Sequence, residues 1–271
     1  MKNLWKLTPT QKEEFLKQGY VVASSPYLLE LKERVHTELR DICLGIISKF
    51  PDYSKHLATL EHQTFGQIFD WSIKNEKNSA LSRAYYEVFP TAASVIGLVA
   101  DENLLSLARE VSIGHPLAST LPALRIDRPK NNRWNTPAHQ DVWYAMLSDN
   151  CATFWCPMLP VTNEMGPLWA IPGSHQLGVL PIKRFSNENP FTTLRDFPDL
   201  DFVPLLLKDD EILLFNQCLV HKSGENLSDR ARLTLQMRYN DLSTLKQPTT
   251  SFTVHYSKYL LEAQKKLLGQ E

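Results

Sequence analysis

The feature that most constrains this sequence is a change of texture at Pro122. Beyond it the chain breaks into short apolar runs, at residues 123–127, 138–143, 152–158, 168–171, 202–207, 211–215 and 232–239, separated by Pro, Gly, Asn and Asp. Runs of that length bounded by turn residues read as strands. Before Pro122 the pattern is helical. Thr8 can cap a helix, Pro9 has its φ preset for the first turn, and Gln11 completes a capping box. Gly19 supplies the left-handed stop, and residues 20–22 then look like a short strand. From 27 to 50, Leu28, Leu31, Val35, Leu39, Ile42 and Ile46 fall at the three-to-four spacing of one helical face. Further helical pieces are expected at 78–88, 92–99 and 102–111. The coarse architecture is therefore helices packed on a compact antiparallel β unit.

The 271 residues carry 29 basic and 30 acidic side chains, a net charge of −1, with 43% hydrophobic and 22% charged residues. That balance excludes a disordered or fibrous chain and lacks the basic footprint of a nucleic-acid binder. The longest apolar stretch, 92–100, is about half of what a membrane span needs. Residues 1–6 hold neither an apolar signal core nor a cleavage site. Cys43, Cys151, Cys156 and Cys218 form no CxxC pair and are too few for a disulfide framework. The expectation is a cytoplasmic protein of one domain over 1–271, with no nucleic-acid or membrane partner, as a monomer or a homodimer. Within it, 1–115 would be helical support with the N-terminal strand, and 243–271 a C-terminal extension. Residues 183–200 read as a long loop of the kind that often serves as a lid.

Chemistry is carried first by His139-Gln140-Asp141. On a strand, alternate residues share a face, so imidazole and carboxylate can converge on one ion. The pattern alone is common by chance. His221, which follows the run 211–215, supplies a third ligand, and two histidines with one carboxylate form the facial triad of non-haem Fe(II). Zinc accepts the same donors, so at this point the residues say metal site without choosing the metal.

Three further blocks narrow the choice. HKSGENLSDRAR spans 221–232; WCPM at 155–158 is followed by GPLWAIPGSH at 166–175; and LTP at 7–9 leads to GYVV at 19–22. In this order they resemble the phytanoyl-CoA dioxygenase family of Fe(II)/2-oxoglutarate oxygenases. The resemblance implies a mainly β fold with flanking helices: a double-stranded β-helix, or jelly-roll barrel, over 120–242, buttressed by the N-terminal helices. It implies Fe(II) held by His139, Asp141 and His221, with 2-oxoglutarate as cosubstrate and O2 as oxidant. Arg232 matches the arginine that binds the distal carboxylate of 2-oxoglutarate, where a planar fork sets the cosubstrate's reach; Arg230 is the competing candidate. Ser223 and Trp155 match a hydroxyl partner and an aromatic wall of the same pocket, and Leu124 is expected to line it. His175, in the sequence Pro-Gly-Ser-His, reads first as part of a turn.

The implied reaction is hydroxylation of a C–H bond with release of succinate and CO2. Asp141 argues against halogenation, since halogenating relatives have a small residue there. Desaturation, epimerisation and ring formation stay open. If Arg232 points into the barrel, strand alternation brings Thr234, Gln236 and Arg238 to the same side, and Asp141 likewise brings Trp143. Trp143, Gln236 and Arg238 would then edge a pocket that suits a small polar or anionic metabolite; the family name does not itself give the substrate, because fold and substrate do not travel together. Two other readings are a cupin-like metal enzyme of another reaction type, such as an isomerase, and a non-catalytic binding protein on the same fold.

Overall fold

The structure, a computed structural model, describes residues 4–118, 122–131, 135–143, 148–183, 193–194 and 201–245. Helix α1 (Pro9–Gln18) begins as its sequence dictates: Thr8 Oγ1 accepts from the Gln11 N–H at 3.2 Å, and Gln11 Oε1 accepts from the Thr8 N–H at 3.0 Å. It ends at Gly19, whose φ of 81° is open to glycine at little cost. A Cβ there would lie 2.4 Å from the Nδ1 of His175. The His175 ring packs on that bare backbone, with Nε2 at 3.1 Å from the Leu16 carbonyl. It therefore couples α1 to the turn at 174–177 and has no part in the cavity described below.

Strand β1 (Tyr20–Ser24) leads into α2 (Pro26–Ser48), which buries Leu28, Leu31, Val35, Leu39, Cys43 and Ile47. The short α3 (Pro51–Ser54) and α4 (Leu57–Leu60) follow, then α5 (Phe65–Asn75), α6 (Ala80–Val88), α7 (Ala93–Val99) and α8 (Glu102–Glu110). The expectation held no helix between 51 and 77, yet α5 opens with a second capping box, Thr64 with Gln67, and buries Phe65, Ile68, Phe69 and Ile73. Among the described residues no single helix is long and apolar enough to cross a membrane.

The β half comprises β2 (Pro116–Ala118), β3 (Ala123–Asp127), β4 (Cys151–Pro157), β5 (Leu168–Ala170), β6 (Ile182–Lys183), β7 (Thr193–Leu194), β8 (Val203–Leu205), β9 (Glu211–Asn216), β10 (His221–Ser223) and β11 (Arg232–Asp241). The major sheet runs β1-β9-β4-β11, with both β2 and β3 on the far side of β11. The minor sheet runs β10-β5-β8, and every pairing is antiparallel. Trp155, Leu213 and Phe215 from the major sheet meet Leu168, Ala170 and Leu205 from the minor one, closing a double-stranded β-helix.

Alternation along β11 decides which side does what. Leu233, Leu235, Met237 and Tyr239, at most 1% exposed, join one core with the helices. Each contributes about 1.5–3 kcal/mol of burial. Arg232, Thr234, Gln236 and Arg238 take the other face, and register places Asp127, Arg125, Trp155 and Thr153 beside them. The helices thus hold the outside of the sheet while its polar inside faces the minor sheet.

Two expectations are corrected. Residues 138–143 are not a strand: His139 makes an isolated bridge, and Asp141–Trp143 is a 3-10 turn. His221 lies in a strand of its own. Of the expected loop at 183–200, its start at Lys183 pairs through β6 with Thr193–Leu194 of β7, and the rest lies outside the described residues, as does 246–271 of the expected extension.

Candidate active site

His139 and His221 stand opposite one another, each backbone N–H donating to the other's carbonyl at 3.0 Å. Residues so paired send their side chains to the same side, and the ring centroids are 4.1 Å apart. The 3-10 turn then folds Asp141 back toward them. Gln140, fully buried, ties this corner down: its amide donates to the carbonyls of Gly178 and Cys218 and accepts from the Leu180 N–H. Asp141 Oδ1 ends 3.7 Å from His139 Nε2 and 3.8 Å from His221 Nε2. The three ligand atoms all lie within 4.8 Å of one another.

The protonation of this cluster follows from its contacts. His139 Nδ1 is 2.8 Å from the Pro137 carbonyl and His221 Nδ1 is 2.9 Å from that of Leu219. A carbonyl only accepts, so each Nδ1 carries the proton and each Nε2 lone pair faces Asp141. Burial, and then the neighbouring imidazole, push His139 down to about 3; burial lowers His221 as well. Burial alone would raise the Asp141 carboxyl, but Arg238 and the two imidazoles outweigh it and hold it well below the carboxylate range. At neutral pH the cluster is two neutral imidazoles and one carboxylate, the states a divalent metal requires. That donor set matches the facial arrangement of non-haem iron.

Arg232 is 2% exposed at the other end of β11's inner face. Its Nε and Nη2 both donate to Asp127 Oδ2, at 3.1 and 2.6 Å. Arg125 binds Asp127 from the other side and reaches Thr136 Oγ1 through Nη1. Against burial, which would raise it, these two arginines hold the Asp127 carboxyl low. One edge of the Arg232 fork is thus taken by Asp127, while its buried Nη1 has no hydrogen-bond partner among the described residues. A buried guanidinium nitrogen without an acceptor is costly unless a ligand supplies one.

A cavity of about 770 Å³ joins the two ends, with His139, Asp141, His221 and Arg232 all in its wall. Trp155 lies beneath the Arg232 guanidinium, 5.5 Å from carbon to ring centroid. Ser223 lines the same wall, and its Oγ accepts from the Thr136 N–H at 3.1 Å. Leu124 lines it from the edge strand β3, although register sets it opposite Leu235 on the helix-facing side. Gln236 and Arg238 face the cavity, but the Arg238 guanidinium lies on Asp141 and Gln236 rather than open to a substrate. Trp143 is not part of the wall; its indole N–H donates to the Leu180 carbonyl at 3.1 Å, because the 3-10 turn breaks the alternation that would have turned it inward. Arg230 is exposed on the loop before β11. The sequence reading missed Asp127, Arg125 and Thr153, whose positions depend on cross-strand register.

The sequence model of the phytanoyl-CoA dioxygenases (PhyH) matches residues 15–234, from within α1 into β11, a span that takes in His139, Asp141, His221 and Arg232. The chain belongs to the phytanoyl-CoA dioxygenase family. A phytanoyl-CoA dioxygenase of Arabidopsis thaliana is 25% identical over 249 residues, covering 83% of this chain and 86% of the relative. The fold is shared with the non-haem monooxygenase ThoJ, at a TM-score of 0.57 and 18% identity over 85% of this chain and 77% of that one. It is also shared with SnoK, a non-haem α-ketoglutarate-dependent carbocyclase from nogalamycin biosynthesis, at a TM-score of 0.56 and 17% identity over 87% and 84% of the two chains. With membership of the phytanoyl-CoA dioxygenase family come Fe(II) and 2-oxoglutarate as cofactors, and the residues present fit both. The His-Asp-His donors suit the metal, and the unpartnered Arg232 nitrogen suits a carboxylate.

Proposed function

We propose that this protein is an Fe(II)- and 2-oxoglutarate-dependent dioxygenase that hydroxylates a C–H bond of a small, soluble, polar or anionic metabolite. The observation that carries this reading is the presence, in one cavity, of the His139–Asp141–His221 donor set and the partnerless Arg232 Nη1. Iron bound there would let O2 act as the oxidant, with two electrons from 2-oxoglutarate, which leaves as succinate and CO2, and two from the substrate C–H bond. The chain's own residues bind, orient and exclude water. His139, Asp141 and His221 would hold the metal. Arg232, steadied by Asp127 and Trp155, would take the distal carboxylate and so set how far the cosubstrate reaches. Ser223 and Leu124 would flank it.

Phe215, 4.7 Å from the His221 ring, together with Leu168 and Trp155, keeps the wall around the metal corner apolar. Since Arg238 is engaged by Asp141, a preference for anions would rest on the other cations of the wall, among them Arg83 and Lys222. The helical and β halves would work as one catalytic unit. A reducing, cytoplasmic setting is supported by four cysteines that are all free thiols.

Anaerobic titration of the metal-free protein with Fe(II) and 2-oxoglutarate tests the reading. The expected result is the weak visible charge-transfer band of the chelate in the wild type, reduced in Arg232→Met, followed by succinate release on admitting O2. Bound iron with no such band would remove 2-oxoglutarate from the account and favour a cupin-like enzyme of another reaction type.

A further inference from the structure

Asp141 is held from behind as well as aimed forward. Its Oδ2 accepts from the Thr153 hydroxyl at 2.5 Å and from Arg238 Nε at 3.2 Å, while Arg238 Nη2 reaches Oδ1 at the longer distance of 3.3 Å. Thr153 and Arg238 are directly opposed in the β4–β11 ladder, which brings both to the same carboxylate from the same sheet face. Gln236 Oε1 accepts from Arg238 Nη2 at 3.1 Å and fixes the guanidinium in turn. Oδ1 is the oxygen that faces both histidine Nε2 atoms.

Carboxylates bind cations through one oxygen or through two. An aspartate beside a divalent ion can adopt either mode. Here, presenting Oδ2 to the metal would break a short hydrogen bond and a charge-assisted one, each stronger in this buried setting than in water. We propose that Arg238 and Thr153 are a positioning pair that keeps Asp141 a one-oxygen ligand. The consequence is a count of coordination positions. Two imidazoles and one carboxylate oxygen leave three positions on a six-coordinate ion, the number that a two-oxygen keto acid and O2 require. A second Asp141 oxygen would occupy one of them. This inference rests on the Fe(II)/2-oxoglutarate reading, and it assigns Arg238 to the metal ligand rather than to the substrate.

The test uses nitric oxide as a probe of the position O2 would need. The Fe(II)- and 2-oxoglutarate-loaded protein is titrated anaerobically with nitric oxide and followed by the high-spin iron-nitrosyl resonance, with the chelate band recorded in parallel. Arg238→Met should keep the chelate band while its affinity for nitric oxide falls about tenfold or more, the range over which residues supporting metal ligands act. Arg238→Lys, which restores the charge and one donor, should recover part of that loss. Thr153→Val should shift the affinity in the same direction by less, and it decides the matter if Arg238→Met does not fold. Unchanged nitric oxide affinity in a folded Arg238→Met or, failing that, in Thr153→Val overturns the positioning pair and leaves Arg238 as charge balance for a buried carboxylate. A wild type with no chelate band overturns the oxygenase reading itself.

Discussion

Arg232 opens β11 and Arg238 lies further along the same face of the same strand, and each reaches a buried aspartate. At the Arg232 end, Asp127 is shared between two arginines, so positive charge is in excess and one guanidinium nitrogen is left over. At the Arg238 end, Asp141 meets one arginine, one hydroxyl and two neutral imidazoles, and the capacity left over is an acceptor oxygen and two nitrogen lone pairs. In the first the aspartate positions the cation; in the second the arginine positions the anion. One residue pairing thus makes an anion receptor where a second arginine joins it and a cation receptor where two imidazoles do.

The largest expected effect breaks the first pair. Asp127→Ala strands the buried Arg232 guanidinium and takes the carboxylate from the half-buried Arg125 as well, and should cost about 3–5 kcal/mol of stability, read from urea unfolding. Asp141→Ala strands only Arg238, whose side chain is 17% exposed to the cavity, and should cost less. Equal losses would mean that the two ends are not built in opposite senses. Next, Arg232→Met should weaken 2-oxoglutarate binding by about 2–5 kcal/mol with Fe(II) affinity little changed, measured by calorimetry with each added in turn.

The pH dependence separates the ends, because only the metal end contains histidines. His139 has its folded value pushed from 6.5 to about 3, so between these values the unfolded chain binds the extra proton. The metal-free protein should therefore hold its full histidine contribution above about 6.5 and lose it as pH falls toward 3. His139→Asn should flatten the decline between about pH 6.5 and 4.5, above the carboxylate range. A decline equally steep in that variant would place the titration elsewhere. Smallest of all, Arg230→Ala should leave both unfolding and 2-oxoglutarate affinity unchanged, since the side chain is exposed on the loop.

Local signals in the sequence were legible where one element decides the outcome. The Thr8–Gln11 capping box, the apolar face of α2 and the alternation of β11 all stand in the structure as their residues imply. Helix α5 carried the same kind of signal in the Thr64–Gln67 capping box and in Phe65, Ile68, Phe69 and Ile73 at helical spacing, and the sequence reading passed over it. The His139–Asp141 pair met His221 by a route that strand alternation does not describe, through a bridge and a 3-10 turn anchored by Gln140. That same turn is why Trp143 does not follow Asp141 inward. Asp127, Arg125 and Thr153 were invisible for a different reason. What makes them functional is the residue across the ladder, and register belongs to the sheet rather than to any segment of sequence. Arg238 was found by alternation, yet its partner was not, since nothing local says that a guanidinium will fold onto a carboxylate from another part of the chain.

The backbone bridge between His139 and His221 has a consequence for the order of events as the chain folds. It joins segments far apart in sequence, and closing such a loop must be compensated by contacts that form only once both sheets are in place. The metal-ligand cluster should therefore be among the last features to assemble and the first to open. Iron bound there would act as a clasp on the finished barrel, resisting unfolding by an amount that grows with the logarithm of its concentration above its dissociation constant. Metal occupancy would then report on how completely a given molecule has folded.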